Sequence, residues 1–249
     1  MTLDEMKDYM RGKDIILVGN GLDALEYMMG DFIDGKDLTI RFGRGVPEPV
    51  IFDRIGTNTH IWVTGQLRMD AHPEVPTRAK VLFNESRFNT EYGSPNYDHL
   101  SMYNDDAVIE LGGLYNIPAG KRLSGGAITA HWLANVCTSW KTLTFINFDC
   151  FTQQTPFIGK YGPEDEVVQH AASWHLPMLK KQYIDTEWSV DDGSPAHDSA
   201  TEERIFRDVL RKKNTFWMGR TLGQEPRILR DACVRFMPGR RHFYVGWDD

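Results

Sequence analysis

Short apolar runs alternate with glycine-bearing turns and amphipathic stretches along most of this chain. Residues 2–11 have the pattern of a short amphipathic helix. Asp14-Ile-Ile-Leu-Val-Gly-Asn-Gly21 is an apolar run ending in a glycine turn, the pattern of a buried parallel strand that feeds a helix. That helix is expected from Leu22 to about Phe32. Strands are expected at Leu38–Phe42, Thr59–Val63 and Ala79–Phe83, and residues 84–106 read as one long polar loop. Ser124-Gly-Gly126 opens a helix to about Cys137, and Thr142–Phe148 is another buried strand. Thr201–Lys212 places Ile205, Phe206, Val209 and Leu210 on one helical face, and Phe243–Trp247 reads as a terminal strand. Strands alternating with helices imply a mostly parallel sheet covered on both faces, here as a single domain over residues 1–249.

Composition changes this picture little. Hydrophobic residues make up 41% of the 249 positions, ordinary for a globular chain. Three cysteines, Cys137, Cys150 and Cys233, are too few and too odd in number for a disulfide framework, so reduced thiols and a cytoplasmic setting are expected. The N-terminus lacks the basic and apolar regions of a secretory signal, and no run approaches the roughly 18 apolar residues of a membrane span.

Charge is more informative. Residues 204–247 hold eleven Arg and Lys against three acids, a net +8, so the remainder carries −15 of the total of −7. This segment is either a solvated basic face or a surface that meets phosphates. Phe206, Phe216, Trp217, Phe236, Phe243, Tyr244 and Trp247 interleave it, as stacking residues of a nucleic-acid surface would, and as core residues would equally.

Candidate chemistry centres on two glycine turns and a late histidine. Gly19-Asn-Gly21 follows a strand and opens a helix, where small residues let backbone amides approach a phosphate; a structural tight turn fits as well. The spacing is not that of a dinucleotide fingerprint. Ser124, Gly125 and Gly126 form a similar helix start. His197 precedes the Thr201 helix. A neutral imidazole suits removal of a hydroxyl proton, but Asp198 or Ser199 could equally make the segment a simple cap. No His-Glu-x-x-His string, paired cysteines or strand-terminal Asp-x-Asp suggests a metal, and no nucleophile elbow suggests a hydrolase.

The order of these pieces resembles the eukaryotic-type sialyltransferases. Val18-Gly-Asn-Gly21, Gly30, Ile33-Asp34, Asp37, Arg41-Phe42 and Asp53-Arg-Ile-Gly-Thr-Asn-Thr59 are similar to the family's large motif. Leu123-Ser-Gly-Gly126, Ala134, Cys137 and Phe145-Ile-Asn-Phe148 are similar to its small motif, with Leu123 in place of a proline and Asn147 in place of a glycine. His197-Asp-Ser-Ala-Thr-Glu202 looks like its late H-x4-E motif. The resemblance implies a Rossmann-like fold of the sialyltransferase type, a variant of the GT-A architecture. It implies an inverting, metal-independent transfer from a nucleotide sugar, with a CMP-linked sialic acid as donor and a glycan as acceptor.

His197 would be the general base, supported by Glu202 and Thr57. The donor would lie against Gly19, Asn20, Gly21, Arg41, Gly43, Arg44, Ser124, Gly125 and Gly126. The family's second histidine would be His175, with His170 as the other candidate. Gly43 stands where the family has a donor-binding asparagine, and the neighbouring Arg44 could replace that hydrogen bond with a charge-assisted one. Cys137 matches one half of the family's disulfide, but no cysteine lies near the other half, and the membrane anchor and stem are missing. These departures point to a soluble bacterial or viral relative. Two alternatives stay open: a phage-type enzyme that glycosylates a hydroxymethylated pyrimidine in DNA through the 204–247 segment, and an inactive module that binds nucleotide sugars.

Overall fold

The computed structural model describes residues 2–20, 28–42, 47, 49, 52–64, 81–84, 98–101, 114–118, 121, 123–148, 198–219, 233–236 and 243–246. Its helices are α1 (Leu3–Met10), α2 (Gly30–Asp34), α3 (Phe52–Ile55), α4 (Gly125–Asn135) and α5 (Ser199–Val209). Its strands are β1 (Asp14–Val18), β2 (Leu38–Phe42), β3 (Ile61–Thr64), β4 (Val81–Asn84), β5 (Asp98–Ser101), β6 (Thr142–Ile146), β7 (Thr215–Gly219), β8 (Cys233–Phe236) and β9 (Phe243–Gly246).

The strands form one sheet in the order β5-β4-β3-β2-β1-β6-β7-β9-β8. All neighbours from β5 to β7 pair in parallel, and β9 runs antiparallel to both β7 and β8. The mostly parallel α/β sheet expected from the alternation of apolar runs is therefore the observed architecture. β1 is the branch point. The chain builds β2 to β5 outward on one side of it, then returns to lay β6 and the later strands on the other. Ligands of open α/β sheets bind beyond the carboxyl ends of the strands at such a reversal. Val18 pairs with Ile146 there.

The central strands are continuous apolar runs because both faces are covered. Ile15, Ile16, Leu17, Val18, Ile40, Leu143, Phe145 and Ile146 are all buried. On α4, Gly126–Ala130 and Trp132–Ala134 are all buried, which explains a helix with no polar stripe. α5 is the opposite case: Ile205, Phe206 and Val209 face the core, while Glu203 pairs with Arg207 one turn on. α1 packs Met6 and Met10 beneath the sheet. Thr2 and Glu5 form a reciprocal capping box at its start.

Several expectations need correction. The stretch read as a loop over 84–106 contains β5, and α3, β7 and β8 were not anticipated. Of the helix expected from Leu22 to about Phe32, residues 22–27 lie outside the described residues, Met28 and Met29 are non-helical, and a short helix starts at Gly30. A Cβ on Gly30 would run into the Phe52 carbonyl, so only glycine allows α2 to pack this closely on α3. Of the aromatics offered as stacking residues, Phe206 and Trp217 are core residues, with ring centroids 5.3 Å apart.

Cys137 is a free, buried thiol whose sulfur lies 3.6 Å from that of Met10. Burial pushes its pKa up to about 11, which keeps it protonated and unreactive. Among the described residues no helix is long and apolar enough to cross a membrane.

Candidate functional site

The first expected turn sits at the branch point. The Gly19 amide donates to the Ile146 carbonyl at 2.8 Å, extending the β1–β6 ladder by one rung. The Asn20 side-chain amide donates to the Phe42 carbonyl at 3.1 Å and so ties the carboxyl ends of β1 and β2 together. A Cβ on Gly19 would lie 2.5 Å from the Asn147 carbonyl oxygen and 3.0 Å from the Phe148 ring. Glycine is required there for close packing between neighbouring strand ends. We expect Gly19→Ala to cost about 1–3 kcal/mol, measured by denaturant unfolding, because backbone must move to admit the methyl group.

Phe148 is the centre around which the site is assembled. Its ring contacts Phe206 at 4.9 Å, Phe42 at 5.7 Å and Trp217 at 6.1 Å between centroids. A Cβ on Gly126 would come within 2.7 Å of the same ring. Gly19 and Gly126, far apart in sequence, are thus both shaped to one aromatic side chain.

At the second turn, Ser124 is the N-cap of α4, and its hydroxyl oxygen accepts from the Ala127 amide at 3.1 Å. The amides of Gly125 and Gly126 have no intrahelical acceptor, as at any helix start. Glu202, only 1% exposed, reaches across from α5. Its carboxylate accepts from the Ser124 amide at 2.6 Å and from the Ser124 hydroxyl at 2.7 Å. The charge lies in the first turn of α5 and at the start of α4, so two helix dipoles favour it.

Asp198 is the N-cap of α5: its carboxylate accepts from the Thr201 amide at 2.9 Å and from the Thr201 hydroxyl at 2.5 Å. The capping role expected of Asp198 or Ser199 falls to Asp198. His197, one residue earlier, lies outside the described residues, but the helix it precedes is locked to Ser124.

Arg41 and Thr57 serve the scaffold. Arg41 is 1% exposed, and its guanidinium donates to the carbonyls of Asn58 at 2.8 Å and Ile55 at 2.6 Å. It braces the α3–β3 connection from inside the core through Nε and one terminal nitrogen. Thr57 donates from its amide and its hydroxyl to the Asp34 carboxylate, each at 2.8 Å, and the Asn58 amide donates to the other oxygen at 2.9 Å. Gly56, at φ 71°, makes the turn that presents these donors. The turn after α3 is therefore organised by a carboxylate, that of Asp34, a role that sequence reading did not assign.

Gly21, Gly43, Arg44, His170 and His175 lie outside the described residues. Within the basic stretch, Arg204 donates to the Tyr115 carbonyl, Arg207 to Glu203 and Arg211 to Asp208 at 2.8 Å. The start of that stretch is a helix face with its own partners, as the solvated-face reading expects; Arg220, Arg227, Arg230, Arg240 and Arg241 lie outside the described residues, and Arg235 is described in backbone only. Among the described residues no group of three or more His, Cys, Asp or Glu could hold a metal ion.

Two further residues belong to this place. Phe148 enters the sequence reading only as the last residue of the small-motif match, since its packing role comes from contacts made by distant elements. Asn147 directly follows β6, is 4% exposed and has φ 63°. The left-handed region explains why a small motif residue there would be glycine, and asparagine is among the few others that tolerate it.

No protein-family model matches the chain, and no curated protein matches it. Among solved structures, the chain is similar to a mammalian sialyltransferase in complex with Gal-beta-1-3GalNAc-ortho-nitrophenol, with 11% identity and a TM-score of 0.45 over 84% of this chain and 70% of that one. It is also similar to the sialyltransferase CST-II in complex with CMP, with 11% identity and a TM-score of 0.47 over 82% of this chain and 80% of that one.

Proposed function

We propose that the chain is an inverting, metal-independent glycosyltransferase that moves a sugar from a nucleotide-sugar donor to an acceptor hydroxyl, with His197 as general base. One observation carries this reading: the Gly19–Asn20 turn and the Ser124–Gly126 helix start meet at the β1–β6 branch point, and Glu202 fastens to that helix start the very helix that His197 precedes. The α4 start offers amides and a favourable dipole to a phosphate. Attack by the acceptor hydroxyl, deprotonated by His197, forms the new glycosidic bond as the nucleotide leaves with the electron pair of the old one.

The donor class follows from the motif resemblance: CMP linked to a sialic acid or a related sugar, transferred to a glycan. Gly19, Asn20, Gly21, Ser124, Gly125 and Gly126 hold its nucleotide part, with Arg44 beside Gly43 taking the place of the family's asparagine.

A thermal-shift panel of CMP, UDP, GDP and their sugars tests this. A ligand at about a hundred times its dissociation constant adds roughly 2.7 kcal/mol of stability, a rise of about 5–10 °C for a domain of this size. A selective rise with CMP or CMP-sialic acid that survives a chelator is expected. A flat panel, together with no hydrolysis of any donor, favours the inactive-module alternative. A DNA acceptor is distinguished by binding to duplex that falls steeply with salt.

A further inference from the structure

The carboxamide of Asn147 is buried at the branch point, and its nitrogen has no hydrogen-bond partner among the described residues. A buried donor without an acceptor destabilises the folded chain unless something arrives to accept from it. Nothing in local backbone demands a carboxamide: φ 63° is met as well or better by glycine. Nor is the residue remote from the site. Its carbonyl oxygen is the atom that forbids a side chain on Gly19, and the next residue is Phe148, which shapes both glycine turns.

We propose that Asn147 is a specificity-determining residue of the nucleotide site, donating from its side-chain nitrogen to an uncharged acceptor on the base or ribose of the bound nucleotide. This rests on the nucleotide-sugar reading above and sharpens it. The phosphate already has the amides of Gly125 and Gly126 at the α4 start. A buried neutral donor on the residue that follows β6 is suited to a neutral oxygen or ring nitrogen. Such an atom loses less on leaving water than a phosphate oxygen does.

Asn147→Gly is the test, since glycine keeps the backbone conformation and removes only the carboxamide. CMP, UMP, cytidine and uridine are titrated calorimetrically against the full-length parent and variant. The apo variant is expected to melt no lower than the parent. Its affinity for the preferred nucleotide and for the matching nucleoside should both fall roughly tenfold, the effect of one lost hydrogen bond. Asn147→Asp, which also tolerates this φ but presents acceptors, should bind the nucleoside no better than the glycine variant. Unchanged affinity in Asn147→Gly overturns the inference while leaving the enzyme reading intact. A loss confined to the nucleotide, with the nucleoside unaffected, overturns it too, because the contact is then with phosphate. A parent chain that binds none of the four compounds removes the nucleotide reading and this inference with it.

Discussion

Replacing Glu202 by alanine is expected to destabilise the protein by about 3–5 kcal/mol, seen as a melting temperature roughly 10 °C lower. The carboxylate accepts two hydrogen bonds from Ser124, one from backbone and one from the hydroxyl, in a nearly fully buried place. Hydrogen bonds to a charged acceptor are worth more than neutral ones, and deletion leaves both Ser124 donors stranded. A void also opens between α4 and α5. Glu202→Gln separates the terms. Its side-chain oxygen can take one donor, but its nitrogen must meet the other, so about half the loss should return. Both variants should weaken nucleotide binding, because Ser124 sets the start of α4. An alanine variant as stable as the parent would show that the two helices hold their positions without this link.

The same pair shows what could be read from the sequence and what could not. Ser124 was legible as a helix start, since serine before two glycines and an apolar run is cap chemistry. Glu202 was legible as a first-turn acid. That one carboxylate serves both helices was not, because the partners lie 78 positions apart and no local pattern encodes the pairing. The sheet was legible where strands are buried on both faces and read as plain apolar runs, as in β1, β2 and β6. β5 (Asp98–Ser101) carries Asp98, His99 and Ser101 and has no such pattern; its pairing with β4 makes it a strand. β7 was missed because Phe216 and Trp217, next to lysines, fit a stacking surface as readily as a core, and only burial decides between them. Arg41 shows how a motif position can also carry structure. The motif resemblance implies a donor-binding role for Arg41, and the structure has its guanidinium donating to carbonyls of the segment that follows α3. Motif order thus pointed to the ends of β1 and β6, where the Gly19 and Ser124 turns do meet around Phe148, while Arg41 and Thr57 make hydrogen bonds to the scaffold beside them.

Replacing His197 by alanine should lower kcat by about 10²–10⁴-fold while leaving the thermal shift by the donor nucleotide within about a degree of the parent's, as expected for loss of a general base. That corresponds to roughly 3–5 kcal/mol of transition-state stabilisation. The split is the informative part. A residue that held the donor would alter binding; a base that takes the acceptor's proton acts only as the bond forms, so kcat falls and donor affinity stays. The pH profile supplies a second readout. An imidazole must be neutral to accept a proton, so the parent's rate declines on the acid side as it protonates, and the alanine variant has no such limb. Asp198 is the control beside it. Asp198→Asn keeps an N-cap for α5 and should retain most of the activity. If instead His197→Ala turns over at more than a tenth of the parent's rate, the proton goes elsewhere. The start of α5 would then be an architectural element fastened to α4 through Glu202, and the base would have to be sought on another part of the chain.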